Sequence, residues 1–328
     1  MRANVRNATP RMKVAVLLLL AVLVAVVPTL WLGWDALDDV ETEVDEGRLR
    51  LAQLAATQAD RVVVEAFFEI ELMAQSVADS PADSSFEELA AALRTVHARA
   101  SSFHTGVLFI DDDATVILEE PSGLSSAELA RVLGDAAAAD DRSVSTPWLD
   151  PDSGHVVSAL GVPLYDGNAQ RLGTMVGVLD LTEPLVSDLI IPASRLGRTG
   201  HADLVDERGT VLASTNPAHL LTPGDHPAFY AAMAQDRSPR VANVTHEPGP
   251  TSLDRSTRHV MAYAPLQNAP WGVSMGASEA ETYASVSSLR RKLLAVGSAS
   301  AITLLVGIGL AARLVPGRRR EVADEHPG

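Results

Sequence analysis

The chain has 328 residues, no cysteine, and 26 basic against 42 acidic residues, for a formal net charge of −16. Without cysteine, a disulfide framework and thiol chemistry are excluded. The acids crowd the middle, where residues 35–289 hold 15 bases and 39 acids; such a field repels nucleic acid and anionic headgroups, so nucleic acid is not expected as a partner.

Residues 14–32 are almost unbroken Val, Leu and Ala, and residues 293–312 form a second apolar run. Each is roughly 20 residues, the length a helix needs to cross the hydrocarbon core of a lipid bilayer. Two transmembrane helices are therefore expected, at 14–34 and 290–313, with everything between them on one side. Arg2, Arg6, Arg11 and Lys13 precede the first run, and Arg313, Arg318, Arg319 and Arg320 follow the second. The positive-inside rule places the tails 1–13 and 314–328 in the cytoplasm, and the acidic middle outside the cell membrane. Arg290, Arg291 and Lys292 oppose this, but eight inner bases outweigh three outer ones. Trp31 and Trp34 suit an outer aromatic belt. A cleaved leader is the alternative, yet the apolar stretch is long for one and no small-x-small site follows before Trp34.

Residues 35–80 read as one long helix. Its apolar positions Leu37, Val40, Val44, Leu51 and Leu54 are spaced by three, four and seven, and a stripe continues through Val62, Ala66, Ile70, Met73 and Val77. That pattern fits pairing with a second copy, packing on the chain's own domain, or each in a different half. Ser80-Pro81-Ala82-Asp83 ends the helix. Residues 86–99 form the next, with Glu87 and Glu88 in its first turn.

Turn-punctuated strands follow at 106–110, 115–118, 156–162 and 175–181, with a helix at 126–139. The pattern then recurs. Thr105-Gly106, Asp111 and Thr115-Val116-Ile117-Leu118 match Thr199-Gly200, Asp206 and Thr210-Val211-Leu212. His155-Val156-Val157 leading to Pro163-Leu164 matches His259-Val260-Met261 leading to Pro265-Leu266. The last strand of the second unit is expected at 272–277. The offsets are 95 and 102 residues, so two related modules of about one hundred residues stand in tandem, each an antiparallel sheet with helices on one face.

These residues resemble a known family. The layout is similar to a double Cache sensor, in which two PAS-like modules follow a long juxtamembrane helix. The match is sharpest at Arg198-Thr199-Gly200-His201-Ala202-Asp203-Leu204-Val205-Asp206-Glu207-Arg208-Gly209-Thr210-Val211-Leu212-Ala213-Ser214, with Asn216-Pro217 behind it. Val144-Ser145-Thr146-Pro147-Trp148-Leu149-Asp150 resembles the closing half of the distal module. The resemblance implies an α+β fold with a helical lead-in at 35–100, a membrane-distal module at 101–190 and a membrane-proximal module at 191–284. It implies an extracytoplasmic small-molecule sensor of bacterial signalling, with the pocket often in the distal module. Asp180 stands where an amino-acid-binding subgroup places an Asp for the ligand amine. The Arg-x-Trp-Tyr stretch of that subgroup is replaced by Asp141-Arg142-Ser143-Val144. Arg313-Leu314-Val315-Pro316 looks like the start of a HAMP relay.

Candidate ligand-binding residues are Trp148, Tyr165 and Asp180 in the distal module, for stacking on a ligand and pairing with a cation, and Tyr263 and Trp271 in the proximal one. Among the nine histidines, His219 and His226 with Asp225 stand closest in sequence; their spacing matches no zinc signature, and a surface loop is expected there. No nucleophile elbow, phosphate loop or dinucleotide fingerprint occurs, so neither catalysis, a metal nor a cofactor is expected. The expected whole is a two-pass membrane protein, homodimeric, that senses an amine, amino acid or carboxylate. It would lack an output domain of its own and act through a separate kinase or receptor. The alternative is a non-sensory scaffold or accessory subunit of the cell envelope.

Overall fold

The computed structural model describes residues 10–78, 86–103, 105–113, 115–120, 141–151, 153–165, 168–182, 196–245 and 258–314. The chain divides into two compact units, one of residues 45–282 and one of its two ends, 1–44 with 283–328.

Helix α1 runs Pro10–Ala78 and α2 Phe86–His97. The first sheet is built from β1 (Gly106–Ile110), β2 (Val116–Glu120), β3 (Ser143–Val144), β4 (Trp148–Leu149), β5 (Val156–Tyr165) and β6 (Arg171–Asp180). The second contains β7 (His201–Val205), β8 (Val211–Ser214), β9 (Arg240–Thr245), β10 (Arg258–Pro265) and β11 (Gly272–Ser278), with α3 (Pro227–Asp236) between β8 and β9. Two helices close the chain, α4 (Glu279–Thr282) and α5 (Ala284–Leu314). The fold is α+β. The helix expected at 126–139 lies outside the described residues.

The two sheets share one plan. The first has the order β2-β1-β6-β5-β3, with β4 also on β5; the second has β8-β7-β11-β10-β9. Every pairing is antiparallel. The recurring Asp explains the first hairpin of each. Asp111 Oδ1 accepts from the amides of Asp113 and Thr115, and Asp206 Oδ1 accepts from those of Arg208 and Thr210. A carboxylate that takes two amides of its own turn fixes where the second strand starts, and hence the register.

Both faces of each sheet are covered, so the central strands read as continuous apolar runs with no polar alternation. In the 45–282 unit, one face of both sheets packs on the α1 stripe Ala52, Ala56, Ala59, Val63, Ala66, Ile70 and Met73 in a single core. Acidic side chains of α1 also tie down a loop of each module. Glu69 accepts from the amides of Ser101 and Ser102, and Asp60 from those of Gln267 and Asn268. The expected stripe Val62, Ala66, Ile70, Met73, Val77 is buried. Leu51 and Leu54 are exposed, because they lie on the opposite side of the helix from the sheets.

In the unit formed by the ends, Gly33 of α1 faces the Leu293 side chain of α5, and the Arg290 guanidinium stands 4.6 Å above the Trp34 ring. Among the described residues no helix is long and apolar enough to cross a membrane. Most side chains of the first apolar run lie outside the described set.

Candidate functional site

The first sheet turns its second face away from α1. By strand alternation this face carries Leu108 and Ile110 from β1, Val176 and Val178 from β6, and Val157 and Ala159 from β5, all buried in one small apolar cluster with Trp148. Trp148 pairs with Val157 across β4 and β5, and Val157 pairs with Asp180 across β5 and β6. The three residues therefore form one cross-strand row at the end of an apolar face, with indole and carboxylate on the same side.

Asp180 is oriented from two directions. Its Oδ1 accepts from the Thr182 amide at 2.7 Å and the Thr182 hydroxyl at 2.8 Å, and its Oδ2 contacts His155 Nδ1 at 2.5 Å. The Asp180 side chain is mostly buried and that of His155 half exposed. Trp148 is buried, and its Nε1–H meets no acceptor among the described residues. An apolar face that ends in one oriented carboxylate and one indole N–H combines the two kinds of group a small-molecule site uses.

Tyr165 lies apart from this pair. It is exposed at the far end of β5, eight residues from Val157, a distance of about 26 Å along an extended strand.

In the second module Tyr263 and Trp271 are both buried, in the cores on opposite sides of the sheet. Tyr263 joins the core beneath α3 with Val205, Tyr230 and Met261, and burial raises its phenol pKa. Trp271 joins the α1 core. It also borders a cleft of about 360 Å³ where the modules meet, lined by Val144, Ser145, Pro147, Asp206 and Arg208. Beneath α3, Tyr230 donates to the buried Asp203, which also accepts from Ser214 at 2.5 Å. Burial first, and then the Asp203 charge, raises the Tyr230 pKa well above 10.

The histidines fall differently from their sequence spacing. His219 Nε2 lies 3.3 Å from Asp225, but His226 is buried at the head of α3, beside His201 and His259. No local spacing could group these three, because strand pairing and helix packing bring them together. The sequence repeat touched this cluster only through His259, which opens a strand as His155 does, and through Thr199-Gly200, which immediately precedes His201.

The sequence matches the Cache domain family over residues 37–286. Among solved structures, the chain resembles the ligand-binding domain of the Pseudomonas aeruginosa amino acid chemoreceptor PctB in complex with L-Gln, with a TM-score of 0.53 and 17% identity over 76% of this chain and 98% of that one. It also resembles the domain of PctC from the same organism with GABA, with a TM-score of 0.54 and 18% identity over 71% and 99%. A third is the Campylobacter jejuni chemoreceptor Tlp3 with L-norvaline, with a TM-score of 0.54 and 11% identity over 74% and 94%. No curated protein matches. These likenesses show the fold, and the family match covers most of the chain: the protein belongs to the Cache domain family, as a double Cache domain with two PAS-like modules.

Proposed function

We propose that this chain is an extracytoplasmic sensor whose distal module binds a small molecule bearing an ammonium group. The observation that carries the reading is the Trp148–Val157–Asp180 row, which sets a carboxylate and an indole at one end of a buried apolar face. A carboxylate already fixed by Thr182 loses little freedom when it accepts a charge-assisted hydrogen bond from an amine. The indole face supplies cation–π attraction, and its Nε1–H suits an acceptor on the same ligand. L-Gln, GABA and L-norvaline, bound by the similar domains, each pair an ammonium with a carboxylate.

Membrane anchoring belongs to the same reading. Leu20, Val24, Val27, Trp31 and Leu32 on α1 are exposed, as are Val296, Ile302, Leu305, Val306 and Leu310 on α5. So much apolar surface is stable in lipid and a liability in water. The acidic module pair then stands outside the cell, and signal leaves through α5 to a cytoplasmic partner.

The test is thermal unfolding of the full chain in detergent against a panel of primary amines, α- and ω-amino acids, and the matching carboxylates without nitrogen. At one hundred times Kd a ligand adds about 2.7 kcal/mol, several degrees in Tm. Amine-bearing compounds should stabilise the chain, and Asp180→Asn should abolish the shift. Absence of any amine effect, or an equal shift in Asp180→Asn, would overturn the assignment.

A further inference from the structure

A second site lies in the proximal module and uses none of these residues. On the sheet face beneath α3, His201 of β7 stands directly opposite Gly276 of β11, and Gly276 stands opposite Met261 of β10. His259 is two residues before Met261 and so shares its face. Gly276 has no side chain to fill the gap between the two histidine strands; a Cβ there would lie 2.1 Å from Met261 Sδ. His226, at the head of α3, closes the gap from above.

The three rings converge. Their centroids are 5.1 to 5.4 Å apart, His226 Nε2 lies 3.2 Å from His259 Nδ1, and one nitrogen from each of the three falls within 4.8 Å of the others. His226 and His259 are buried and His201 half-buried. The tautomer of His201 follows from its neighbour. Its Nδ1 lies 3.3 Å from the Thr199 carbonyl, which can only accept, so Nδ1 carries the proton. That leaves Nε2 with a bare lone pair, buried and without a hydrogen-bond partner among the described residues. Burying a polar atom in this way is costly unless something fills the place.

We infer that His201, His226 and His259 form a binding site for a divalent transition-metal ion of borderline softness, zinc being the type. Two imidazole nitrogens on one tetrahedral zinc stand about 3.3 Å apart, given zinc–nitrogen bonds of 2.0–2.1 Å. The His226–His259 pair already has that separation, and His201 closes by a movement on the order of 1 Å. Three neutral imidazoles with no carboxylate in the set favour zinc, cobalt, nickel or copper over calcium or magnesium. The Thr199 carbonyl bond to Nδ1–H is the outer contact that orients a ligating histidine. Three protein ligands leave a fourth position open to water or to a donor group of a small molecule.

The experiment is cobalt(II) titration of the untagged full chain in detergent, after chelator stripping, followed by visible absorption and by metal counting after dialysis. One cobalt per chain with an intense d–d band of low coordination number is expected, displaced by zinc. His201→Ala and His259→Ala should each weaken uptake by roughly 100-fold or more, beyond the 10–100-fold typical of losing an outer contact. His219→Ala, with its ring on Asp225, should leave uptake unchanged. Because His201 is half-buried at a strand end, its variant retains the fold, and circular dichroism confirms this before titration. No saturable uptake, or equal uptake by wild type and His201→Ala, would overturn the site. Neither result bears on amine binding at Asp180.

Discussion

Asp203 is an acid at the centre of a core, and its tolerance there depends on its partners. Tyr230 donates to one oxygen and Ser214 to the other, while the raised phenol pKa keeps the Tyr230 proton in place. Tyr230→Phe keeps the ring and removes one donor, leaving a carboxylate oxygen short of a partner inside the protein. We expect a loss of about 1–3 kcal/mol, read from urea unfolding of the metal-stripped chain. Asp180 differs from Asp203 in being held at the edge of its apolar face, where His155 is half exposed. That placement sets the carboxylate in one row with the Trp148 indole, and the loss of amine binding in Asp180→Asn is the corresponding residue-scale expectation. The resemblance to the family pointed to Asp180, but only strand pairing showed that Trp148 shares its row and Tyr165 does not.

Helix α4 is a single turn, yet it links the second sheet to the last helix of the chain. Its Glu281 accepts from the Thr199 hydroxyl at 2.6 Å and from the amides of Arg198 and Thr199 at 2.8 and 2.9 Å. The Thr199 hydroxyl bond, followed by these amides, lowers the Glu281 pKa from 4.5 to about 2. A depressed carboxylate contributes stability that is complete above its unfolded pKa and is lost as pH falls through its folded one. Glu281→Gln should therefore flatten the fall in stability between pH 4.5 and 2, measured as Tm against pH. Thr199 also offers its carbonyl to His201, so the same substitution should weaken cobalt binding by about tenfold, the cost of disturbing an outer contact. A metal that orders His201 thus bears on the strand end from which α4 and then α5 depart. It can shift that segment only by binding one arrangement more tightly than another.

At the scale of the whole molecule, the long helix divides its surface between two tasks. One face is buried under both sheets. The other leaves Leu51, Leu54, Phe68 and Leu72 exposed at spacings that fit a heptad seam through positions 58, 61 and 65. We propose that this face pairs with a second copy. The chain has no cysteine, so single Leu54→Cys and Phe68→Cys variants report directly on proximity. Both should give oxidised dimers in membranes at protein levels where Gln53→Cys, off the stripe, remains monomeric. Equal cross-linking at all three positions would rule the seam out.

The sequence alone settled what local forces settle. Apolar runs marked the helices, Asp-led turns set the hairpins, and the recurrence of both announced two modules built alike. It could not rank the faces of α1, since Leu51 and Leu54 look as apolar as Val62 and Ile70 until sheets cover one side only. It did not mark the helix 227–236 or the two-residue strands around Ser145, which are too short to show a period of their own and exist only through their pairing with β5. The histidine triad was beyond any reading of spacing, because its members come from two strands that do not touch and a helix that packs over both. Local chemistry dictates which elements form; which side chains meet is decided only when those elements exclude water from one another, and the two candidate sites of this protein lie on faces created by that packing.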